Sequence, residues 1–198
     1  MHEFAVLTPA EIERRVVAYL QGRPEATRDD WKRLGAHGMR WLYTIAVCPT
    51  EGTRANRLRA AALATLGQLA GRSRMEALLD VLVEPDVPVM VRCGAVEGLG
   101  YAAHPRALPA LQAQAFHHDF RVRLYACTAL GRIGSAGARR ILEDVGERDP
   151  HSQVRRAATV ELERARARSS SLPPVPEPDV GDYEGPARIG RAATVSVE

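Results

Sequence analysis

Val122-Arg123-Leu124-Tyr125-Ala126-Cys127-Thr128-Ala129-Leu130-Gly131 decides the fold, because its pattern occurs four times. Leu58-Arg59-x-x-Ala62-x-x-x-Leu66-Gly67 and Val91-Arg92-x-x-Ala95-x-x-x-Leu99-Gly100 come before it. Val154-Arg155-x-x-Ala158-x-x-x-Leu162-Glu163 follows it. The arginines stand 33, 31 and 32 residues apart. Self-similarity at such a period marks a stacked repeat array. An array of this kind offers an extended surface more readily than an enclosed catalytic pocket.

Within each copy the alanine and leucine lie four apart, on one face of a helix. The small alanine admits a neighbouring helix. The glycine is expected to close the helix in the left-handed conformation that costs it nothing. A second helix is predicted after each motif, with Leu78, Leu111 and Leu142 buried, each 19 residues beyond its arginine. Asp86-Val87-Pro88, His118-Asp119 and Asp149-Pro150 read as the turns before the next motif. Glu163 replaces the glycine in the last copy, so that helix is expected to run on through Arg164 to Arg168.

Upstream, Thr8-Pro9-Ala10-Glu11 is a capping box with proline at the first helical position. Ile12, Val16, Val17 and Leu20 give that helix one apolar face, and Gly22 and Pro24 end it. A helix from near Asp29-Asp30 to Leu34-Gly35 and another from Gly38 to Cys48 read as a worn first repeat, with Trp31 and Trp41 filling its uncovered end. Downstream, Ser169 to Pro178 is Ser- and Pro-rich, as linkers and polyproline segments are. The residues after it are too poor in apolar side chains for a core, although Ala192 to Val197 could add a short strand. The expected organisation is a capping helix at 1–24, repeats near 25–50, 54–84, 86–116, 118–147 and 149–168, and an acidic tail at 169–198.

The composition is that of a globular chain, 45% hydrophobic and 26% charged, and only 5% aromatic. Scarce aromatics with abundant alanine suit thin helices packed closely. The net charge is +3. Residues 169–198 hold five acids against Arg188 and Arg191, so the positive charge is concentrated in the array. That excess is mild for a dedicated nucleic-acid binder. Cys48, Cys93 and Cys127 form no CxxC pair and sit in apolar helical runs, which suits buried thiols in a reducing compartment. With no signal-peptide pattern and no apolar run of membrane-spanning length, a cytoplasmic protein is expected.

The repeat resembles the short bacterial HEAT-like repeats first associated with phycobilisome lyases. Their consensus is roughly Asp-Pro-x-x-x-Val-Arg-x-x-Ala-x-x-Ala-Leu-Gly-x-Ile-Gly. The best copy here is Asp119-Phe-Arg-Val122-Arg123-Leu-Tyr-Ala126-Cys-Thr-Ala129-Leu130-Gly131-Arg-Ile133-Gly134. The resemblance covers residues 54–168 strongly and 25–50 weakly. It implies an all-α, right-handed α-α superhelix, a HEAT/armadillo-like solenoid of about four to five helical pairs, with a disordered or extended tail. In similar repeats the motif arginine pairs with an acid in an inter-repeat turn. That role falls to Asp86, Asp119 and Asp149 for Arg59, Arg92, Arg123 and Arg155. Fold alone does not carry function.

No GxSxG, HExxH, P-loop or GxGxxG is present, so no catalytic residue and no cofactor are assigned. His117-His118-Asp119 lacks the further ligands a zinc site needs, and no metal is expected. Deoxyhypusine hydroxylase, a HEAT-like enzyme, holds iron with repeated His-Glu pairs; the one His-Glu here is His2-Glu3, outside the array. HEAT-like DNA glycosylases use tryptophan, aspartate and arginine on a basic face. Trp31, Trp41 and several arginines supply the residue types, but no motif fixes their positions.

Second-helix positions opposite the buried leucines, at about 100° per residue, define an expected concave face. They are Glu76, Asp80 and Val83, then Pro109, Ala113 and Phe116, then Arg140, Asp144 and Glu147. Four acids against one arginine repel phosphate backbones and favour a peptide with an apolar anchor and basic flanks, unless Phe116 simply packs on a neighbour. Arg156, Arg164, Arg166 and Arg168, beside Arg155, make the last helix the most basic element and a candidate anion-binding surface. The expected function is thus a non-catalytic scaffold or adaptor binding a protein or peptide. The alternatives are a nucleic-acid binder or DNA glycosylase-like enzyme, and a bilin-lyase-like modifying enzyme. Nucleic acid and membrane are not expected partners.

Overall fold

The computed structural model describes residues 7–23, 25–49, 51–70 and 74–171. The tail from residue 172, its expected strand at 192–197 and His2-Glu3 lie outside the described residues. The described residues form ten α-helices and one 3₁₀ turn, with no strand among them.

Helix α1 (Pro9–Leu20) starts at the predicted capping box. Thr8 Oγ1 accepts the Glu11 amide, and the Glu11 carboxylate accepts the Thr8 amide at 2.8 Å. Helix α2 (Arg28–Arg33) repeats the device with Thr27 and Asp30. Helix α3 (Gly35–Val47) follows directly, starting earlier than predicted, with Gly35 at φ 61° making the bend. Trp31 is buried and meets Tyr19 edge-on at 5.4 Å. Trp41 is half-buried. Cys48 departs from the sequence reading: it follows the last turn of α3 and is exposed, whereas Cys93 and Cys127 are buried.

The motif helices are α4 (Thr53–Ala70), α6 (Val89–Ala102), α8 (Phe120–Ile133) and α10 (Ser152–Ser171). They stack side by side, each packing extensively on the next. The second helices are α5 (Met75–Val83), α7 (Leu108–Ala115, entered through a 3₁₀ turn at Pro105–Ala107) and α9 (Ala136–Arg148). Leu78, Leu111 and Leu142 are buried as predicted. The motif alanines Ala62, Ala95, Ala126 and Ala158 are fully buried, as are Leu66, Leu99 and Leu130.

The motif glycines do not cap helices. Gly67, Gly100 and Gly131 lie inside α4, α6 and α8, where neighbouring helices press against them. A Cβ on Gly67 would fall 2.0 Å from the Gly98 carbonyl oxygen, and one on Gly100 would fall 2.7 Å from Ala129. Glycine is used here for close approach. The loss of glycine at Glu163 accompanies the end of the stack, and α10 runs to Ser171, beyond the predicted Arg168.

The left-handed caps fall one turn later, at Gly134 (φ 63°) and Ala103 (φ 47°). Alanine pays about 1 kcal/mol for that conformation and glycine does not. Ala103→Gly is therefore expected to stabilise the protein by about 1 kcal/mol, read as a higher urea midpoint at unchanged slope. An unchanged midpoint would contradict that reading of the cap.

Second helices pack more closely on the motif helix that follows them than on the one before. The close pairs are α3–α4, α5–α6, α7–α8 and α9–α10, with α1 and α2 covering the first. This is four pairs, half a repeat out of phase with boundaries drawn from the motif.

Candidate functional site

The four motif arginines form a ladder through the array. Each reaches back to carbonyls at the end of the preceding helix or in the turn that follows it, groups that have no partner within that helix. Arg59 Nε donates to Ala46 O at 3.0 Å, and Arg92 Nη1 to Leu82 O at 2.9 Å. Arg123 Nη1 donates to His117 O and His118 O, and Arg155 Nη1 to Asp149 O and Pro150 O. Two of them also reach forward to a carboxylate in the next turn. Arg59 grips both Glu84 oxygens at 2.6 and 2.9 Å, and Arg123 grips both Asp149 oxygens at 2.7 and 3.0 Å.

Of the three acids expected as partners, only Asp149 serves. Glu84 takes the place foreseen for Asp86, which sits at the turn's tip with φ 55°. Asp119 instead caps α8 and pairs with Arg121, whose hydrogen bond holds the carboxyl down at about 2. The place equivalent to Glu84 and Asp149, 26 residues beyond Arg92, belongs to His118, which offers only its backbone carbonyl to the ladder. The arginine row is thus consumed in joining turns and offers no anion site.

The basic cluster on α10 is largely paired as well. Arg164 binds Glu161 and Arg166 binds Glu143, each at 2.7 Å, and Arg168 donates to the Gly131 carbonyl. Arg156 is exposed. The His117 and His118 rings lie tilted against each other, 4.1 Å apart between centroids. Burial, then the neighbouring His118 and Arg92 charges, push the His117 imidazole below its ordinary value, and its Nδ1 accepts the Asp119 amide. Among the described residues no three His, Cys, Asp or Glu side chains stand close enough to hold a metal. Burial raises the Cys93 thiol to about 11 and the Cys127 thiol to about 12, so both are protonated at neutral pH and poor nucleophiles.

The second-helix residues read from the sequence stand as follows. Glu76, Asp80, Val83, Pro109, Ala113, Phe116, Arg140 and Glu147 are exposed, and Asp144 is partly exposed. Val83 is 81% exposed and Phe116 55%, at the ends of α5 and α7. Glu76 pairs with Arg106, and Asp144 with Arg148. These helices stand apart: α5 and α7 make at most slight contact, and α7 and α9 only modest contact.

The motif helices carry a second surface that the sequence reading missed. A groove of about 300 Å³ runs across α4, α6 and α8. Ala60, Ala61 and Ala64 form one wall, Met90 and Cys93 the middle, and Tyr125 the far side. Met90 and Tyr125 are each 40% exposed. Tyr101 lies further along α6, held beneath Arg132, whose Cζ is 3.9 Å from the ring centroid. Glu97 and Arg121 supply one charge of each sign. The signal for this surface was present: Met90, Tyr101 and Tyr125 are large side chains at positions of the motif helices that vary between the copies. The repeated residues drew attention away from the variable ones between them.

Among the described residues no helix is long and apolar enough to cross a membrane. Residues 75–163 match the family model for HEAT repeats. No curated protein matches the chain. The match begins at the start of α5 and ends inside α10, so it spans the helix pairs α5–α6, α7–α8 and α9–α10. The repeated motif, the all-helical stacked architecture and this match agree: residues 75–163 are HEAT-like repeats.

Proposed function

We propose that this chain is a protein-interaction scaffold and that the exposed face of its motif helices is the partner-binding surface. The supporting observation is the unequal spacing of the two layers. In a curved two-layer array the inner helices lie closer together, and here the motif helices are the closely packed ones. Their outward face is then the concave one, the side on which solenoids present extended binding surfaces. The groove combines a carbon-rich wall with partly exposed Met90 and Tyr125, and Tyr101 is exposed further along α6. Methionine and tyrosine are favoured at the centres of protein interfaces. The surface suits a partner segment that inserts an apolar side chain between α4 and α8.

The second-helix face gives the other reading, favoured by exposed Val83 and Phe116 among four acids. It would take a peptide with an apolar anchor and basic flanks. Affinity purification with quantitative mass spectrometry separates the two. A double variant Met90→Ala/Tyr125→Ala is expected to lower recovery of the specific partner at least tenfold, since an aromatic anchor contributes about 2 kcal/mol or more. Val83→Ser/Phe116→Ser is expected to leave recovery unchanged. The reverse result would transfer the binding site to the second helices. If neither variant changes recovery, or if the purified protein turns over a substrate without a partner, the scaffold reading is overturned.

A further inference from the structure

We infer a phosphomonoester-binding site at the N-terminal end of the array, between the end of α1 and the first turns of α4. A concavity of about 620 Å³ is lined by Leu20, Gln21 and Arg23 from one side and Thr53, Arg54, Arg57 and Leu58 from the other. Arg54 and Arg57 are three apart on α4, so they share a face. Arg23 meets them from the turn after α1. Among the described residues no acidic side chain lines the cavity.

What sets these three arginines apart is that they line one cavity together. Arg33, Arg59, Arg106, Arg121, Arg123, Arg148 and Arg164 each hold a carboxylate. Arg23, Arg54 and Arg57 have no ion pair or side-chain hydrogen bond among the described residues. Like charges gathered in one concavity repel, and a bound anion relieves that repulsion. The positive end of α4 adds to the field, although it would not by itself hold an anion. Thr53 and Gln21 contribute neutral donors.

The chemistry selects the anion. A guanidinium fork matches the oxygens of a carboxylate or a phosphate. Three cations favour the higher charge, and a phosphomonoester carries about −1.5 to −2 at pH 7. A nucleic-acid backbone requires a row of cations, and this patch does not extend into one. Ala60, Ala61 and Ala64 follow on the outward side of α4, and Arg59 is buried against Glu84. The basic patch ends with the cavity, as a site for one compact dianion should. Leu20 and Leu58 wall it with carbon, which admits the organic group to which the phosphate is attached.

The site lies apart from the motif-helix groove, so it stands or falls independently of the partner surface. Calorimetric titration of the full chain at constant ionic strength tests it, with inorganic phosphate and a phosphoserine peptide as probes. Both are expected to bind saturably. Arg54→Ala and Arg57→Ala should each weaken binding about tenfold, the effect of losing one charge-assisted hydrogen bond. Each variant should melt no lower than the parent without phosphate, because it relieves repulsion. Tighter binding of the peptide than of inorganic phosphate would identify a phosphorylated side chain as the source, and equal binding a free phosphate. The inference is overturned if neither probe binds, if the alanine variants bind as well as the parent, or if only duplex DNA binds. Met90→Ala/Tyr125→Ala should leave phosphate binding unchanged whatever it does to partner recovery.

Discussion

Asp149→Ala is expected to destabilise the protein by about 3 kcal/mol, the usual cost of breaking a buried ion pair on one side. Arg123 is 8% exposed and Asp149 8% exposed, and two N–O contacts of 2.7 and 3.0 Å join them. The substitution strands a guanidinium that keeps only the His117 and His118 carbonyls. It also removes the acceptor for the His151 amide, which the carboxylate holds at 2.8 Å as α10 begins. For a domain of this size, about 3 kcal/mol corresponds to a fall of roughly 6–12 °C in Tm. Asp149→Asn, which retains an acceptor for the His151 amide, should cost less.

Acid provides an independent check. Burial alone would raise the Asp149 carboxyl, but hydrogen bonds from Arg123 and the His151 amide outweigh it and hold the group below its usual value. A carboxyl lowered on folding stabilises the native state above its unfolded value, about 3.9, and loses that contribution as pH falls through the folded value. The stability gap between parent and Asp149→Ala should therefore be full at pH 7 and narrow below about pH 4. Urea midpoints measured at both ends of that range decide it. A gap below 1 kcal/mol at pH 7, or one that is as wide at pH 2, would mean that the ladder does not contribute as described.

The parts of the fold legible in the sequence were those fixed by local chemistry. Thr8 with Glu11, and the burial of Leu78, Leu111 and Leu142, follow from capping and helical periodicity, and the structure agrees. The phase of the repeat was not legible, because a periodic sequence has no marked origin. The motif helix can pair with the second helix before it or after it, and only packing across turns decides. The role of the glycines was hidden for a related reason. Gly67 and Gly100 are compatible both with a helix end and with a close helix crossing, and the neighbour that distinguishes these lies some 30 residues away. The groove was missed because it is built by three helices at once. Ala60, Met90 and Tyr125 belong to different repeats and occupy different motif positions, so no alignment of the copies brings them together.

Gly67→Ala is expected to lower stability by about 2 kcal/mol or more, against the ordinary effect of this substitution in a helix. Inside a helix alanine is favoured over glycine by about 1 kcal/mol. At residue 67 the added methyl would meet backbone, with the Gly98 carbonyl oxygen 2.0 Å and its carbon 2.5 Å away. Backbone cannot rotate aside as a side chain can, so α4 and α6 must separate. The same seam is tight elsewhere: a Cβ on Gly94 would lie 2.4 Å from the Ala60 carbonyl oxygen, and one on Gly98 2.5 Å from that of Leu63. Overpacking of this kind costs about 3 kcal/mol at the upper end of its usual range, which more than cancels the helical gain. Gly146 in α9 supplies the control. Its nearest neighbour would be Thr159 Oγ1 at 3.5 Å, an ordinary contact. Gly146→Ala should therefore stabilise the protein by up to about 1 kcal/mol. One chemical change at two helical glycines is thus expected to have opposite signs in equilibrium denaturation. If both variants gain stability, the motif glycine is not held by the close approach of α6. Separation of α4 from α6 would also widen the groove walled by Ala60 and Ala64, so Gly67→Ala should weaken partner recovery even under conditions where the variant remains folded.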